Sequence, residues 1–310
     1  MTGARTAAAL GLDIGGTKTQ AGVVGADGRV LARRSSPTPA AQGPDAVLAT
    51  AVALAREVLA ETGPVHAAGL GTAGVVAPDG RSIAHATDAL PGWAGTPVAA
   101  RLESALGLPF TVLGDVQAFL AGEAAAGGAR GADVAVGVMA GTGIGGAVLV
   151  GGAVLRGATG AAGHLGHVPV PEAAGEPCPC GRTGHVEAVA SGPAMTARFR
   201  RLRPRAPVAD LRAVSSLAAE GDPDAVRVLT DGGHALGTAL GGVVATLDPD
   251  AVVIAGGVLG SGPWYLDALR GALSRATLPS LAGVAVRRAV RDSDAVLLGA
   301  AHTARRHART

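Results

Sequence analysis

The sequence has few aromatic residues, two cysteines, one lysine and no asparagine. Aromatic residues make up 2% of the 310 residues, so alanine, valine and leucine must build the core. The cysteines, Cys178 and Cys180, are too close in sequence to bridge each other easily, so a metal site or free thiols are expected rather than a disulfide. The chain is rich in arginine, and no single arginine is taken as a functional signal.

Long apolar runs and a strong net charge are also missing. No apolar stretch reaches transmembrane length without a glycine or a charge, and the N-terminus lacks a signal-peptide pattern, so we expect a cytoplasmic protein that does not bind membranes. The formal net charge is +2. The arginine-rich segments 198–205 and 305–309 have no aromatic stacking partners, which argues against nucleic-acid binding. The length and the 48% of hydrophobic residues predict a globular chain of two domains.

Apolar periodicity locates several elements. It predicts helices at 98–106, stopped by Gly107, at 116–126 and at 225–247. Strand-like runs alternate with these helices. Two strand–glycine turn–strand units, one in each half of the chain, suggest a duplicated domain with a ligand cleft between the copies.

Three glycine-rich turns each follow a predicted strand. Backbone N–H groups at such turns can approach a phosphate and form an anion nest, although Gly-Gly is also common in plain hairpins. Open α/β sheets bind ligands at the carboxyl ends of their strands, so three turns in this context favour a nucleotide. Asp13, beside the first turn, can hold a hydrated Mg²⁺ ion. The predicted nucleotide- and phosphate-binding residues are Asp13, Gly15, Gly16, Thr17, Lys18, Gly141, Thr142, Gly143, Gly145, Gly256 and Gly257.

Asp115 ends a predicted strand at the start of a predicted helix. A carboxylate in that position can face a cleft and accept a proton from the hydroxyl that a kinase substrate uses for attack. Aspartate is also a good helix N-cap. Taken alone, the residue favours the cap.

One short stretch concentrates potential metal ligands. It contains three of the eight histidines and both cysteines: His164, His167, Cys178, Cys180 and His185. All but His164 together supply the four nitrogen and sulfur ligands of a tetrahedral structural zinc site. The alternative is a surface loop with free thiols.

These motifs together resemble those of the ROK family (repressors, open reading frames and sugar kinases), and the resemblance covers nearly the whole chain. Segment 13–19 is similar to the first phosphate motif of the family, and 141–146 is similar to the second. Segment 247–257 resembles the adenosine segment, and 163–191 resembles the family signature.

The resemblance implies an α/β, actin-like (ribonuclease-H-like) ATPase fold, with two domains around a central cleft and a small zinc loop at 163–187. We expect an N-terminal sugar- and phosphate-binding domain at 1–126 plus 294–310, to which the C-terminal helix returns. We expect a C-terminal nucleotide-binding domain at 127–293.

The resemblance also implies a kinase that uses Mg-ATP to phosphorylate the 6-hydroxyl of a hexose or N-acylhexosamine, and a homodimer. Asp115 falls on the catalytic base of the family. His167, Cys178 and Cys180 fall on its zinc ligands, and the fourth ligand, usually cysteine, is here His185. Glu187 and His167 fall on sugar-contacting positions. The expected sugar-binding residues are Gly74, Gly114, Asp115, His164, His167 and Glu187.

Two departures from the family pattern concern the substrate. Gly114 stands where the family usually has an asparagine that binds sugar hydroxyls, and this loss removes a polar contact. His164 stands where the family usually has glutamate, and the Gly-His-x-Gly-His pattern resembles bacterial N-acetylmannosamine kinases of the family. We therefore expect an N-acylmannosamine 6-kinase.

Two alternatives stay open from the sequence, and a third is disfavoured. A glucokinase or N-acetylglucosamine kinase would carry the same motifs. The glycine at Gly114 is also compatible with a catalytically weak sugar-binding regulator. A transcriptional repressor of the family would carry a helix-turn-helix domain before the first phosphate motif, and about a dozen residues before Asp13 are too few for one.

Overall fold

The protein is described by a computed structural model that covers residues 8–205, 207–291 and 294–308. Within these ranges, no helix combines the length and the apolar character that crossing a membrane would require.

The described chain forms two compact units. The first unit holds the described residues up to 132, the segment 148–162 and the described residues from 289 onward. The second unit holds 133–147 and 163–288. The domain boundaries expected from the sequence stay a prediction.

Strands and helices alternate along much of the chain. The strands are β1 (Ala9–Ile14), β2 (Lys18–Val24), β3 (Val30–Pro37), β4 (Ala68–Thr72), β5 (Val75–Val76), β6 (Ile83–His85), β7 (Phe110–Gly114), β8 (Val134–Ala140), β9 (Ile144–Val150), β10 (Ala153–Val154), β11 (Ala251–Ala255) and β12 (Ala285–Arg288). The helices are α1 (Pro44–Thr62), α2 (Val98–Leu106), α3 (Asp115–Ala126), α4 (Glu187–Ala190), α5 (Gly192–Leu202), α6 (Leu211–Ala219), α7 (Pro223–Leu247), α8 (Pro263–Ala276) and α9 (Ala295–His307).

The first unit is built on a five-stranded sheet in the order β3-β2-β1-β4-β7. β1, β2 and β3 form an antiparallel meander, whereas β4 runs parallel to both β1 and β7. α1 packs on one face of the sheet, and α9 packs against β1 and β4. Glycines let α9 approach closely: a Cβ on Gly11 would lie 3.1 Å from the carbonyl carbon of Leu297. The C-terminal helix thus returns to the first sheet.

The second unit contains most of a sheet with the order β10-β9-β8-β11-β12. β11 runs parallel to β8 and β12, and β10 runs antiparallel to β9. α7 is the longest helix of the unit; Pro223 is its first residue, and the Asp222 side chain caps it by accepting from the N–H groups of Asp224 and Ala225. α7 and α8 pack closely through small residues.

The two sheets therefore share one strand order, with three neighbouring strands followed by two parallel ones. This repeat agrees with the two strand–turn–strand units seen in the sequence, and the predicted α/β class is confirmed. In such sheets the carboxyl ends of the parallel strands form the ligand-binding edge. The glycine turns at 15–16, 141–146 and 256–257 follow β1, β8 and β11 at that edge.

Candidate active site

The ends of three parallel strands bring two carboxylates together in the first unit. Ile14 pairs with Thr72, and Thr72 pairs with Gly114, so β1, β4 and β7 end level with one another. Asp13 lies one residue before the end of β1, and Asp115 begins α3 directly after β7. The sequence-predicted phosphate residue and the sequence-predicted base therefore share one edge of one sheet.

Burial and charge perturb Asp13. Burial, with a smaller contribution from the negative charge of Asp115, raises the pKa of the Asp13 carboxyl to about 6. The Gln20 Nε2 group, which donates to Asp13 Oδ2 at 3.2 Å, and the Lys18 ammonium act in the opposite direction and lower this pKa. Perturbed carboxylates of this kind are typical of functional sites.

Asp115 is oriented by the start of its own helix. Its Oδ1 accepts a hydrogen bond of 2.8 Å from the N–H of Val116. Gly114, directly before it, has φ −61° and ψ 153°, which any residue can adopt.

Gly74, expected to contact sugar, lies just after β4. It has φ +95°, and a Cβ there would lie 2.6 Å from the carbonyl oxygen of His85, so this position requires glycine.

The first glycine turn is held by a threonine that the sequence did not reveal. The N–H of Gly15 donates to the carbonyl oxygen of Lys18 at 3.0 Å, which closes the turn. The hydroxyl of Thr38 donates to the carbonyl oxygen of Gly15 at 2.7 Å and also contacts the hydroxyl of Thr19. Thr17 and Lys18 are exposed beyond it. Thr38 lies at the end of another strand, and no local pattern marks such a contact.

The second glycine turn is tied to Glu187. The turn joins β8 to β9, and the N–H of Ile144 donates to Glu187 Oε2 at 2.7 Å. A Cβ on Gly143 would lie 2.7 Å from the same oxygen, so a larger residue there would displace the Glu187 carboxylate from this position. The N–H of Gly192 donates to the carbonyl oxygen of Gly141. Glu187, predicted from the resemblance as a sugar contact, thus also supports the predicted phosphate turn at Gly141, Thr142, Gly143 and Gly145.

The third glycine turn borders a cavity. Gly256 has φ +105°, and a Cβ there would lie 2.7 Å from the carbonyl carbon of Ala140 at the end of β8. A cavity of ≈ 600 Å³ lies beside Gly257, between α6 and the start of α8. Its lining includes Arg212, Ser215, Ser216, Ser261 and Trp264. The sequence pattern predicted the turn but not these side chains.

Four potential metal ligands converge in the second unit. One ligand atom from each of His167, Cys178, Cys180 and His185 lies within 4.8 Å of the others. His167 Nδ1 is 3.6 Å from Cys178 Sγ, and His185 Nδ1 is 3.3 Å from Cys180 Sγ. Two ligands of one tetrahedral zinc ion, with bonds of about 2.1 and 2.3 Å, lie about 3.6 Å apart. The donor set therefore fits zinc.

Burial shifts the pKa of His167 towards the form that binds metal and shifts the pKa of Cys178 away from it. Burial lowers the pKa of His167, against the opposing charge of Glu187, which favours the neutral imidazole that binds metal. Burial raises the pKa of the Cys178 thiol, so a bound cation is needed to hold its thiolate. The His164 and His167 rings stack with centroids 6.3 Å apart, which brings the predicted sugar-binding histidine beside the metal cluster.

Comparisons with known proteins agree with this geometry. The model of the ROK family matches residues 9–307. An N-acetylmannosamine kinase from Shigella boydii is 35% identical over 292 residues, which cover 94% of this chain and 96% of that protein.

Two solved structures are similar throughout. The ROK hexokinase of Thermus thermophilus has a TM-score of 0.88 and 34% identity, covering 97% of this chain and 99% of its own. The ROK family glucokinase of Streptomyces griseus, solved with glucose and AMPPNP, has a TM-score of 0.79 and 31% identity, covering 96% and 99%.

Proposed function

This chain belongs to the ROK family, and we propose that it is an ATP-dependent sugar kinase that phosphorylates the 6-hydroxyl of an N-acylmannosamine. The observation that carries the proposal is the carboxylate pair at the ends of the parallel strands, where the charge of Asp115 contributes to the raised pKa of Asp13. The 35% identity to an N-acetylmannosamine kinase supports the choice of sugar.

Asp115 is the proposed base. It accepts the proton of the attacking hydroxyl while the new bond forms between the sugar oxygen and the γ-phosphorus, and the bond to the leaving ADP oxygen breaks. The N–H of Val116 donates to Asp115 Oδ1, which orients the carboxylate. Most of the rate enhancement in such reactions comes from positioning and from charge stabilisation.

Each of the first two glycine turns is proposed as a phosphate-binding turn of its own unit. When bound, Mg²⁺ neutralises negative charge on the phosphate oxygens. Asp13 is the carboxylate suited to the water shell of that ion. The exposed side chains of Thr17 and Lys18 supply a hydroxyl and an ammonium group to the phosphates. Gly141 to Gly146 supply the second turn.

The second unit supplies the proposed nucleoside and sugar contacts. We assign the nucleoside to the cavity beside Gly257, whose volume of ≈ 600 Å³ and partly apolar lining with Trp264 suit an aromatic base. We assign sugar contacts to His164, His167 and Glu187. Glu187 is held for that task by the N–H of Ile144.

The Cys/His cluster is proposed as a structural zinc site. Four protein ligands leave no open position, so zinc supplies folding energy to this loop and not Lewis-acid chemistry. The ligands His167 and His185 lie within three residues of the predicted sugar contacts His164 and Glu187 in sequence. Closing the loop would hold His167 and Glu187 in place.

The test is a coupled ADP-release assay with Mg-ATP against N-acetylmannosamine, glucose, N-acetylglucosamine, mannose and fructose. We expect selective turnover of N-acetylmannosamine. Asp115→Asn should abolish turnover while nucleotide binding is kept, and Asp267→Asn, the same change at an exposed position of α8, should retain full activity. Turnover retained in Asp115→Asn would falsify the base assignment.

The second candidate is a glucokinase, and the similarity to the Streptomyces griseus glucokinase favours it. A clear preference for glucose in the same panel would keep the kinase and replace the sugar. No turnover with any sugar would favour the sugar-binding regulator. The homodimer and the cytoplasmic location expected from the sequence stay predictions.

A further inference from the structure

Helix α3 begins without a side chain that could cap it from outside. Its N-cap residue is Gly114, which offers no acceptor for the N–H groups of the first turn. The N–H of Val116, one of these groups, donates to Asp115 Oδ1 at 2.8 Å. The proposed base therefore also caps its own helix, so the geometry of the helix start determines where this carboxylate points.

Gln117 holds the same helix start through both ends of its amide. The residue is 6% exposed. Its Oε1 accepts from the N–H of Gly114 at 3.1 Å, and its Nε2 donates to the carbonyl oxygen of Gly160 in a longer contact of 3.4 Å. Because Gly114 presents a donor and Gly160 presents an acceptor, an amide satisfies both and a carboxylate does not.

The backbone at Gly160 packs closely against Val76. Gly160 has φ +83°, and a Cβ there would lie 3.2 Å from the carbonyl carbon of Val76 and closer still to its oxygen. The segment 148–162 that carries Gly160 belongs to the first unit, as α3 does. Gln117 thus connects the residue before Asp115 to a loop that is closely packed at Gly160.

We propose that Gln117 is a positioning residue for Asp115. Its amide fixes Gly114 against the loop at Gly160 and thereby sets the direction of the Asp115 carboxylate. The role matters to catalysis only if Asp115 is the base, so it rests on the proposed function.

Two substitutions separate the parts of this role. Gln117→Met keeps the volume and removes both hydrogen bonds. A catalytic group misplaced by about 1 Å costs about 10²-fold in rate, so we expect kcat to fall about 10²-fold while KM for ATP is unchanged. Gln117→Glu keeps an acceptor for Gly114 but adds a like charge near Asp115, which raises the pKa of the base. The acidic limb of its kcat–pH profile should therefore move to higher pH.

Glu123→Gln is the matched control on the same helix, two turns beyond Asp115. Glu123 is fully buried, and its carboxylate accepts from the N–H groups of Gly128, Val290 and Arg291 at 2.6, 3.0 and 2.7 Å. We expect this variant to melt at a lower temperature with an unchanged kcat and pH profile. It shows how the loss of buried hydrogen bonds on α3 lowers the melting temperature when the base is not affected.

The outcomes are distinct. Gln117 variants that lose stability as Glu123→Gln does, with unchanged kcat and pH profile, overturn the positioning role alone. Wild-type protein that turns over no sugar overturns the proposed function and this role with it. If Gln117→Met does not fold, the near-isosteric Gln117→Glu decides through its pH profile, and an unshifted acidic limb overturns the role.

Discussion

The packing of α7 against α8 depends on glycine, and one substitution measures that dependence. A Cβ on Gly233 would lie 2.8 Å from the carbonyl carbon and 2.9 Å from the Cα of Tyr265, and closer still to the carbonyl oxygen. These are backbone atoms of a fully buried residue, so no side chain can rotate away. Gly233→Ala therefore forces α8 outward.

The magnitude follows from two opposing terms. Overpacking a core costs about 1–3 kcal/mol, and backbone atoms place this case at the upper end. Alanine gains about 1 kcal/mol over glycine in a helix interior. We expect a net loss of about 2 kcal/mol. The Tyr265 hydroxyl donates to the carbonyl oxygen of Ala190 in α4, the helix that Glu187 begins, so activity should also fall.

Gly242→Ala is the control on the same helix. Gly242 is exposed and has no atoms near its would-be Cβ, so alanine there should raise the free energy of unfolding by about 1 kcal/mol. The assay is urea unfolding of both variants and the wild type, followed by circular dichroism. Equal stabilities of the two variants would refute the close-packing argument.

Three further predictions follow from the sites. Metal analysis should find one zinc per chain, and Cys178→Ser should release it and lower the melting temperature by about 10 °C; an unchanged metal content would contradict the cluster. The raised pKa of Asp13 means that the folded chain keeps a proton that the unfolded chain loses between about pH 4 and pH 6. The stability that Asp13 contributes is therefore lost as pH rises through that window. In urea unfolding without nucleotide, Asp13→Asn should have a free energy of unfolding up to about 3 kcal/mol above that of the wild type at pH 7 and equal to it below pH 4. Gly114→Asn should keep or slightly raise stability, because a Cβ there has no neighbour closer than 3.5 Å and asparagine is a better N-cap. The same change should alter the ratio of kcat/KM between N-acetylmannosamine and glucose, and a large loss of stability would contradict the open space around this position.

The sequence predicted much of the fold because its signals are local. Helix α2 matches the predicted 98–106 and ends at Gly107, which has the left-handed conformation typical of a helix end. The predicted helix at 225–247 is α7, extended by two residues at its capped start. Periodicity and end signals act within a few residues of one another, and the four predicted zinc ligands all lie in one loop between 167 and 185.

Other contacts could be seen only in the folded chain. Thr38 supports the first glycine turn, Glu187 supports the second, and Gln117 reaches Gly160, each across 23 to 43 residues. Nothing in the local pattern marks these pairs, because a side chain can satisfy its hydrogen bonds with any partner that the fold brings near.

The amino-acid sequence by itself determined the elements, the glycine turns and the donor set for zinc, since each depends on residue type and short spacing. Tertiary structure decided which carboxylates share an edge, because Asp13 and Asp115 meet only when β1, β4 and β7 align in register. It also decided why many glycines are present. Gly233 has ordinary sequence surroundings, and only the approach of α8 leaves no room for a Cβ at this position.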